Sequence, residues 1–243
     1  MINVGVIGHK GRMGAAVCAE VEADEELDLG ARIGRGDPLD AMLDSGAQVA
    51  VEFTTPDSVA ENVRFCIEHG IHAVVGTTGL SSEDLDDLSR RAQSSEVGVL
   101  IAPNFALGAV LMMTFAQKAA RYYDAVEIIE RHHEKKFDSP SGTALRTASL
   151  MTEGRTAEWN MPAGRETVSG SRGGDSKGVH IHSVRLPGSV AHQEVIFGGV
   201  GETLTIRHDS LDRSSFMPGV LLAIKRVDTL RGVTVGLEHL LEI

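Results

Sequence analysis

The chain has 243 residues, 42% hydrophobic and 23% charged, an ordinary globular composition with room for one large domain or two modest ones. Lys plus Arg total 23 against 34 Asp plus Glu, a net charge of −11, which excludes general binding to a nucleic-acid backbone but leaves room for a local basic pocket. Cys18 and Cys66 are too few for a disulfide framework, no apolar run reaches the ~18–20 residues of a membrane span, and no basic leader precedes the first strand-like run, so a reduced, cytoplasmic chain with neither nucleic-acid nor membrane partners is expected.

Short β-branched runs at 2–7, 27–33, 48–53, 72–75 and 97–102 alternate with helix-like stretches at 11–22, 38–45, 56–69 and 82–95. That alternation predicts βαβ units and a parallel, doubly wound sheet. Ser81, with Glu83 and Asp84 in the turn that follows, reads as a helix cap. The pattern then changes to a long helix over 108–123, a strand over 126–133, and a second helix starting near Ser141 and running to about 153. Residues 154–178 are rich in Gly, Ser, Thr and Arg without periodicity and read as a long mobile loop. Three alternating runs at 180–186, 194–197 and 202–208 predict an α+β second domain with an open mixed sheet. A helix over 214–226 and a strand over 233–237 return to the pattern of the first half.

The segment V-G-V-I-G-H-K-G-R-M-G places Gly8, Gly11 and Gly14 between the first strand and the first helix. Glycines there allow a tight turn, a pyrophosphate at the helix N-terminus and close packing of helix on strand. The spacing G-x-x-G-x-x-G is not the commoner dinucleotide fingerprint, but its strand–turn–helix context supports a nicotinamide dinucleotide site. An acid commonly meets the ribose 2′-hydroxyl about 20 residues further on. Gly34 and Arg35 stand there instead, so no acid repels a 2′-phosphate and Arg35 is placed to pair with one, while Lys10, Arg12 and Arg32 add positive charge. Gly76, Thr77 and Thr78, and Ala102, Pro103, Asn104 and Phe105, fall at the carboxyl ends of predicted strands, where open α/β sheets place ligands.

The densest cluster of chemistry is E-R-H-H-E-K-K-F-D-S-P-S-G-T-A, from Glu130 to Ala144. If the strand continues over 126–136, alternation puts His132, Glu134 and Lys136 on one face and His133 and Lys135 on the other. Ser139 to Thr143 then lead into a helix whose first amides form an anion site. Two imidazoles, two ammonium groups and a helix N-terminus suit a small carboxylate substrate and a proton transfer. His180, His182, His192 and His208 add no metal-ligand spacing, and no metal site is expected.

These motifs resemble those of the 4-hydroxy-tetrahydrodipicolinate reductase (dihydrodipicolinate reductase) family over the whole chain. The matching segments are V-x-V-x-G-x-x-G-x-M-G, V-V-G-T-T-G, A-P-N-F, the 130–144 segment, H-S-V-R, F-G-x-x-G-E and R-x-S-F-x-P-G. The resemblance implies a Rossmann-like domain over 1–105, completed by 216–243, and a substrate-binding and tetramerisation domain over 106–215. It implies NADPH or NADH as cofactor, held by Gly8, His9, Lys10, Gly11, Arg12 and Met13, by Arg35, and by residues 76–78 and 102–105. It makes His132 the proton donor, Lys136 a second catalytic group, and His133, Gly142 and Thr143 contacts to a cyclic imine dicarboxylate. It also implies a homotetramer. The competing readings are another dehydrogenase of an amino-acid-derived carboxylate and a regulator that binds NAD(P) without turnover, which leaves His132 and Lys136 without a task.

Overall fold

The buried β-branched runs form a parallel sheet in the computed structural model, which describes residues 1–153, 155, 157–160, 162 and 164–241. β1 (Ile2–Ile7), β2 (Leu27–Ile33), β3 (Val49–Glu52), β4 (His72–Val75) and β5 (Gly98–Ile101) alternate with α1 (Arg12–Ala23), α2 (Ala41–Asp44), α3 (Pro56–Glu68) and α4 (Ser82–Ser95). β3 and β5 are buried at every position, as strands covered on both faces must be. α4 opens with a reciprocal cap: Ser81 Oγ accepts the Asp84 N–H, and Asp84 Oδ2 accepts the Ser81 N–H. The helix expected over 38–45 shortens to the single turn of α2, because Met42 and Leu43 bond three residues back, to Leu39 and Asp40.

The chain continues through α5 (Leu107–Ala119), β6 (Ala125–His132), α6 (Gly142–Thr152), β7 (Gly174–Ser176), β8 (Val179–Arg185), β9 (Ala191–Gly199), β10 (Glu202–Ser210), α7 (Met217–Arg226) and β11 (Gly232–Val235). Two units result: Met1–Leu107 with the tail from Arg213 onward, and Gly108–Asp212. The first carries a six-stranded sheet in the order β11-β5-β4-β3-β1-β2, parallel throughout. The strand order reverses between β1 and β3, and the crevice outside their carboxyl ends is where such sheets take ligands. The tail belongs here because β11 pairs with β5 and α7 lies against residue 105. A Cβ on Gly219 would stand 2.0 Å from the Phe105 carbonyl oxygen, so only glycine permits that approach.

The second unit has a five-stranded sheet in the order β10-β9-β6-β8-β7. β6 and β8 are parallel and the other pairs antiparallel, so the sheet is mixed. Val126, Ile128 and Glu130 of β6 share a buried face with Val179, Ile181, Val195 and Phe197. α6 is joined to this face by a hydrogen bond from Gln193 Nε2 to Thr147 Oγ1, 2.8 Å.

Two expectations need correction. The strand over 126–136 stops at His132; residues 134 and 135 form a turn, and the Lys136 N–H donates to the His133 carbonyl at 3.1 Å. Alternation therefore says nothing about Lys135 or Lys136. The segment read as an unstructured loop contains β7, paired with β8, and a buried Trp159. Its ring carries the Arg155 guanidinium at 3.8 Å, and Arg155 Nη1 also donates to the Tyr123 carbonyl at 2.9 Å. No helix among the described residues is long and apolar enough to cross a membrane.

The glycine geometry sets a stability contrast. Gly219→Ala forces a methyl group against backbone and should cost about 1–3 kcal/mol. Gly142→Ala meets open space and should change stability by less than about 1 kcal/mol. Urea unfolding of the two variants checks the difference.

Candidate functional site

In the first unit the turn after β1 is shaped by Gly8, whose φ of +92° disfavours side-chain-bearing residues. A Cβ there would also lie 2.1 Å from the Phe53 carbonyl oxygen, and one on Gly14 would lie 2.2 Å from the Gly8 carbonyl oxygen. α1 begins at Arg12 with no side-chain cap and no acid in its first turn, so its amides remain available to an anion. A cavity of about 520 Å³ opens beside this turn, lined by Gly8, Lys10, Gly11, Arg35, Phe53 and Thr54 among others. It sits at the carboxyl ends of β1, β2 and β3, at the reversal in strand order. The glycine cradle, the uncapped helix and the two cationic side chains fit the pyrophosphate and adenosine half of a dinucleotide.

The cavity brings together Gly8, Lys10, Gly11 and Arg35; His9 in the same turn and Arg12 and Met13 at the start of α1 do not line it. Residues 76–78 and 102–105 follow the neighbouring strands β4 and β5. Thr77 Oγ1 accepts the Thr54 N–H at 2.7 Å. The Phe53 and Phe105 rings stand 5.7 Å apart, and a Cβ on Gly76 would lie 2.0 Å from the Phe53 ring, so Gly76 lets that ring pass. Asn104 Oδ1 accepts the Ala106 N–H at 2.9 Å, a local turn bond that fixes the amide.

Two charges differ from expectation. Arg32 pairs with Glu22 and adds no free positive charge to the site. The ribose end is not free of acid: the chain turns after β2 so that Asp37 Oδ2 accepts the Gly34 N–H at 2.8 Å, and Asp37 lines the cavity. The acid missing at position 34 is replaced three residues later, which strand–acid spacing alone does not reveal. Thr54, Thr55, Ser58 and Asn62 also line the cavity and were not singled out from sequence, although V-E-F-T-T-P is a strand end entering a helix.

In the second unit the centre is Glu130, on the buried face of β6 and 0% exposed. Its Oε2 accepts from His132 Nδ1 at 2.6 Å and from Arg185 Nη1 at 2.8 Å; its Oε1 accepts from Arg185 Nη2 at 2.8 Å and from the Ser141 N–H at 3.2 Å. Burial alone would push this carboxyl up, but the hydrogen bonds from His132 and Arg185 outweigh burial and hold it at about 2. Because the carboxylate takes the Nδ1 side, Nε2 is the ring nitrogen left for a substrate. Ser141 in turn caps α6, its hydroxyl accepting the Ala144 N–H at 3.2 Å. Gly142 and Thr143 form the first turn of that helix, with open space where a Gly142 side chain would stand.

Lys136 is held through a different arm. Its Nζ bonds Asp138 Oδ1 at 2.8 Å, while Arg185 Nη2 donates to the Asp138 carbonyl at 2.7 Å. The Lys136 ammonium holds the Asp138 carboxyl below the usual range. His133 is exposed beyond the strand end, and Lys135 is exposed in the turn. Sequence reasoning placed His132, Lys136, Gly142 and Thr143 in one segment but missed Arg185, which pairs with Glu130 and reaches the Asp138 carbonyl. Its only signal was the H-S-V-R motif. Two further histidines engage carboxylates: His182 with Glu127 at 2.7 Å and His192 with Asp209 at 2.6 Å. Among the described residues no group of three or more metal-ligating side chains stands together.

Comparison with known proteins gives a consistent result. The sequence profile described as dihydrodipicolinate reductase, N-terminus, matches residues 2–105, and the one described as dihydrodipicolinate reductase, C-terminus, matches residues 108–241. The 4-hydroxy-tetrahydrodipicolinate reductase of Streptomyces avermitilis is 55% identical, over 100% of this chain and 98% of that protein. The enzyme of the same name from Corynebacterium diphtheriae is 53% identical, over 100% of this chain and 99% of the other. Among solved structures, dipicolinate-bound dihydrodipicolinate reductase from Paenisporosarcina sp. TG-14 superposes with a TM-score of 0.92 at 37% identity, covering 99% of this chain and all of that one.

The Glu130 cluster predicts a pH-dependent stability. Its carboxyl is depressed from 4.5 to about 2 on folding, so its contribution is present above pH 4.5 and lost as pH falls toward 2. Glu130→Gln leaves the part-buried Arg185 guanidinium without its counter-charge, and should cost roughly 3–5 kcal/mol at neutral pH. It should also flatten the loss of stability between those two pH values. Thermal unfolding of both proteins across pH 2–7 measures both effects.

Proposed function

The chain belongs to the dihydrodipicolinate reductase family, and from that premise we propose how its residues carry the reaction. It is an oxidoreductase that reduces 4-hydroxy-tetrahydrodipicolinate to tetrahydrodipicolinate with a reduced nicotinamide dinucleotide, a step toward diaminopimelate and lysine. The observation that carries the assignment of roles is the Glu130 carboxylate, which holds His132 on one side and the start of α6 on the other.

The substrate is a six-membered cyclic imine with two carboxylates. Lys136 and the first amides of α6, at Gly142 and Thr143, hold a carboxylate, and His133 lines the approach. His132 carries its proton at Nε2 because Nδ1–H is turned to Glu130. The 4-hydroxyl and one C3 hydrogen leave together as water, giving the conjugated double bond between C3 and C4, and in the reduction His132 returns a proton to C3. When bound, the reduced nicotinamide supplies the hydride that C4 receives. Glu130, kept ionised by its hydrogen bonds from His132 and Arg185, holds the ring through Nδ1 and so aims Nε2 at the substrate.

Both NADPH and NADH are accepted, with NADPH used at least as well. Arg35 on the cavity wall pairs with a 2′-phosphate, and Asp37 offers an acceptor to a 2′-hydroxyl. Residues 9–13 cradle the pyrophosphate, and residues 76–78 and 102–105 hold the nicotinamide half. The open face of the second sheet, where Ile129 is exposed, assembles a homotetramer. Buried, unpaired Cys18 and Cys66 suit the reducing cytoplasm.

His132→Gln keeps a hydrogen-bonding side chain but supplies no proton. Its kcat should fall ~10²–10⁴-fold with cofactor affinity near native. Steady-state kinetics with the imine substrate check this; more than a tenth of native kcat would assign the proton to another group. Arg35→Ala should lose roughly 1.5–3 kcal/mol of NADPH binding and leave NADH almost unchanged. Cofactor titration measures both, and a tenfold native preference for NADH would contradict the role given to Arg35.

A further inference from the structure

β3 reads V-A-V-E, three apolar residues followed by a glutamate, and all four are buried. Glu52 is 1% exposed. Its Oε1 accepts from the Thr54 hydroxyl and from Asn62 Nδ2, the latter at 3.2 Å. Its Oε2 is buried with no hydrogen-bond partner, and among the described ion pairs none involves Glu52. A buried carboxylate without a counter-ion and with one oxygen idle opposes folding. Valine would satisfy the strand pattern without that cost. Such local inconsistencies mark sites where stability has been given up for function.

The partners show what that function is. Thr54 Oγ1 also lies 2.9 Å from Ser58 Oγ, and the Thr54 N–H donates to Thr77 Oγ1 at 2.7 Å. Thr54, Ser58 and Asn62 line the 520 Å³ cavity that holds Gly8, Lys10 and Arg35. Thr77 lies after β4 in the segment assigned to the nicotinamide half. One carboxylate oxygen thus ties the end of β3 to the middle of α3 and, through Thr54, to the start of α3 and the end of β4. The same dry compartment contains Cys66, whose thiol is pushed up to about 12 by burial and then by the Glu52 charge.

We propose that Glu52 is a positioning residue of the dinucleotide site, fixing Thr54 and Asn62 in the cavity wall and Thr77 beyond it. The proposal rests on the dinucleotide reading of that cavity. Its acceptor role is common to both cofactors, because it orders the wall and does not discriminate at the ribose, which falls to Arg35 and Asp37.

The test uses the purified enzyme with Glu52→Gln and with Thr54→Val, which keeps the shape of residue 54 and deletes the hydroxyl that Glu52 holds. NADPH and NADH affinities are measured by the fluorescence of the bound reduced nicotinamide, without substrate, alongside thermal midpoints and kinetics. Both variants should bind NADPH and NADH at least tenfold more weakly, equally for the two, and the loss should fall on the cofactor KM more than on kcat. If Glu52→Gln does not fold, Thr54→Val carries the test alone. Lowered thermal midpoints with both affinities within twofold of native would make Glu52 structural only and overturn the proposal. A Lys10→Ala/Arg35→Ala variant separates the underlying reading: NADPH binding as in the native enzyme would remove the cavity's dinucleotide role. Loss of NADPH binding in that variant, with native affinities in Glu52→Gln and Thr54→Val, would overturn the Glu52 proposal alone.

Discussion

One buried carboxylate organises the chemistry of the second unit. Glu130 spends its two oxygens on four donors: His132, both terminal nitrogens of Arg185, and the Ser141 amide. Each of the three partner residues serves a different part of the site. The first fixes the ring and tautomer of His132, the second neutralises the buried charge, and the third sets where α6 begins. Arg185 extends the network to the Asp138 carbonyl, and Asp138 holds Lys136. An imidazole, the start of a helix and an ammonium group thus share one hydrogen-bonded support. A well-packed apolar residue in place of a buried ion pair is often neutral or stabilising, so stability alone does not account for this cluster. Holding several groups at fixed separations does, because misplacement of about 1 Å can cost ~10²-fold in rate.

The first unit solves a different problem with backbone. A parallel sheet covered on both faces leaves polar groups exposed only at strand ends, and the reversal at β1 and β3 opens a crevice there. Gly8, Gly14 and Gly76 are required where backbone or a ring passes within reach of a Cβ. The loop after β2 adds charged side chains to this crevice. Arg35 and Asp37 lie one and three residues, respectively, after Gly34, inside the turn that Gly34 starts and Asp37 closes. A cation and an anion thus stand side by side on one wall of the cavity.

Most of the first unit was legible in sequence because its signals are local. Short buried strands, helix caps and glycine turns announce themselves within ten residues, and the βαβ alternation follows from them. The 130–144 segment was legible for the same reason: its chemistry is contiguous. What failed was non-local or irregular. Arg185 reaches Glu130 across 55 residues, through the parallel pairing of β6 with β8. Alternation was carried past His132 into a turn, and the placement of Lys136 depends on Asp138 instead. Asp37 was overlooked because the expected acid was sought at the strand end and not inside the turn. Glu52 was invisible because a strand-terminal acid is ordinary until its burial is known. The 154–178 segment lacks periodicity, yet Trp159 and Arg155 anchor it by one ring contact and a few bonds, which no pattern encodes.

The central claim is that Glu130 dictates which nitrogen of His132 faces the substrate. Nitrogen-15 NMR of the His132 side chain, in enzyme labelled at histidine and assigned with a His132→Gln control, reads the tautomer directly. At a pH where the ring has lost its extra proton, the account predicts hydrogen on Nδ1, bonded to Glu130, and a bare Nε2. Hydrogen on Nε2, with Nδ1 unprotonated beside an ionised Glu130, would contradict it.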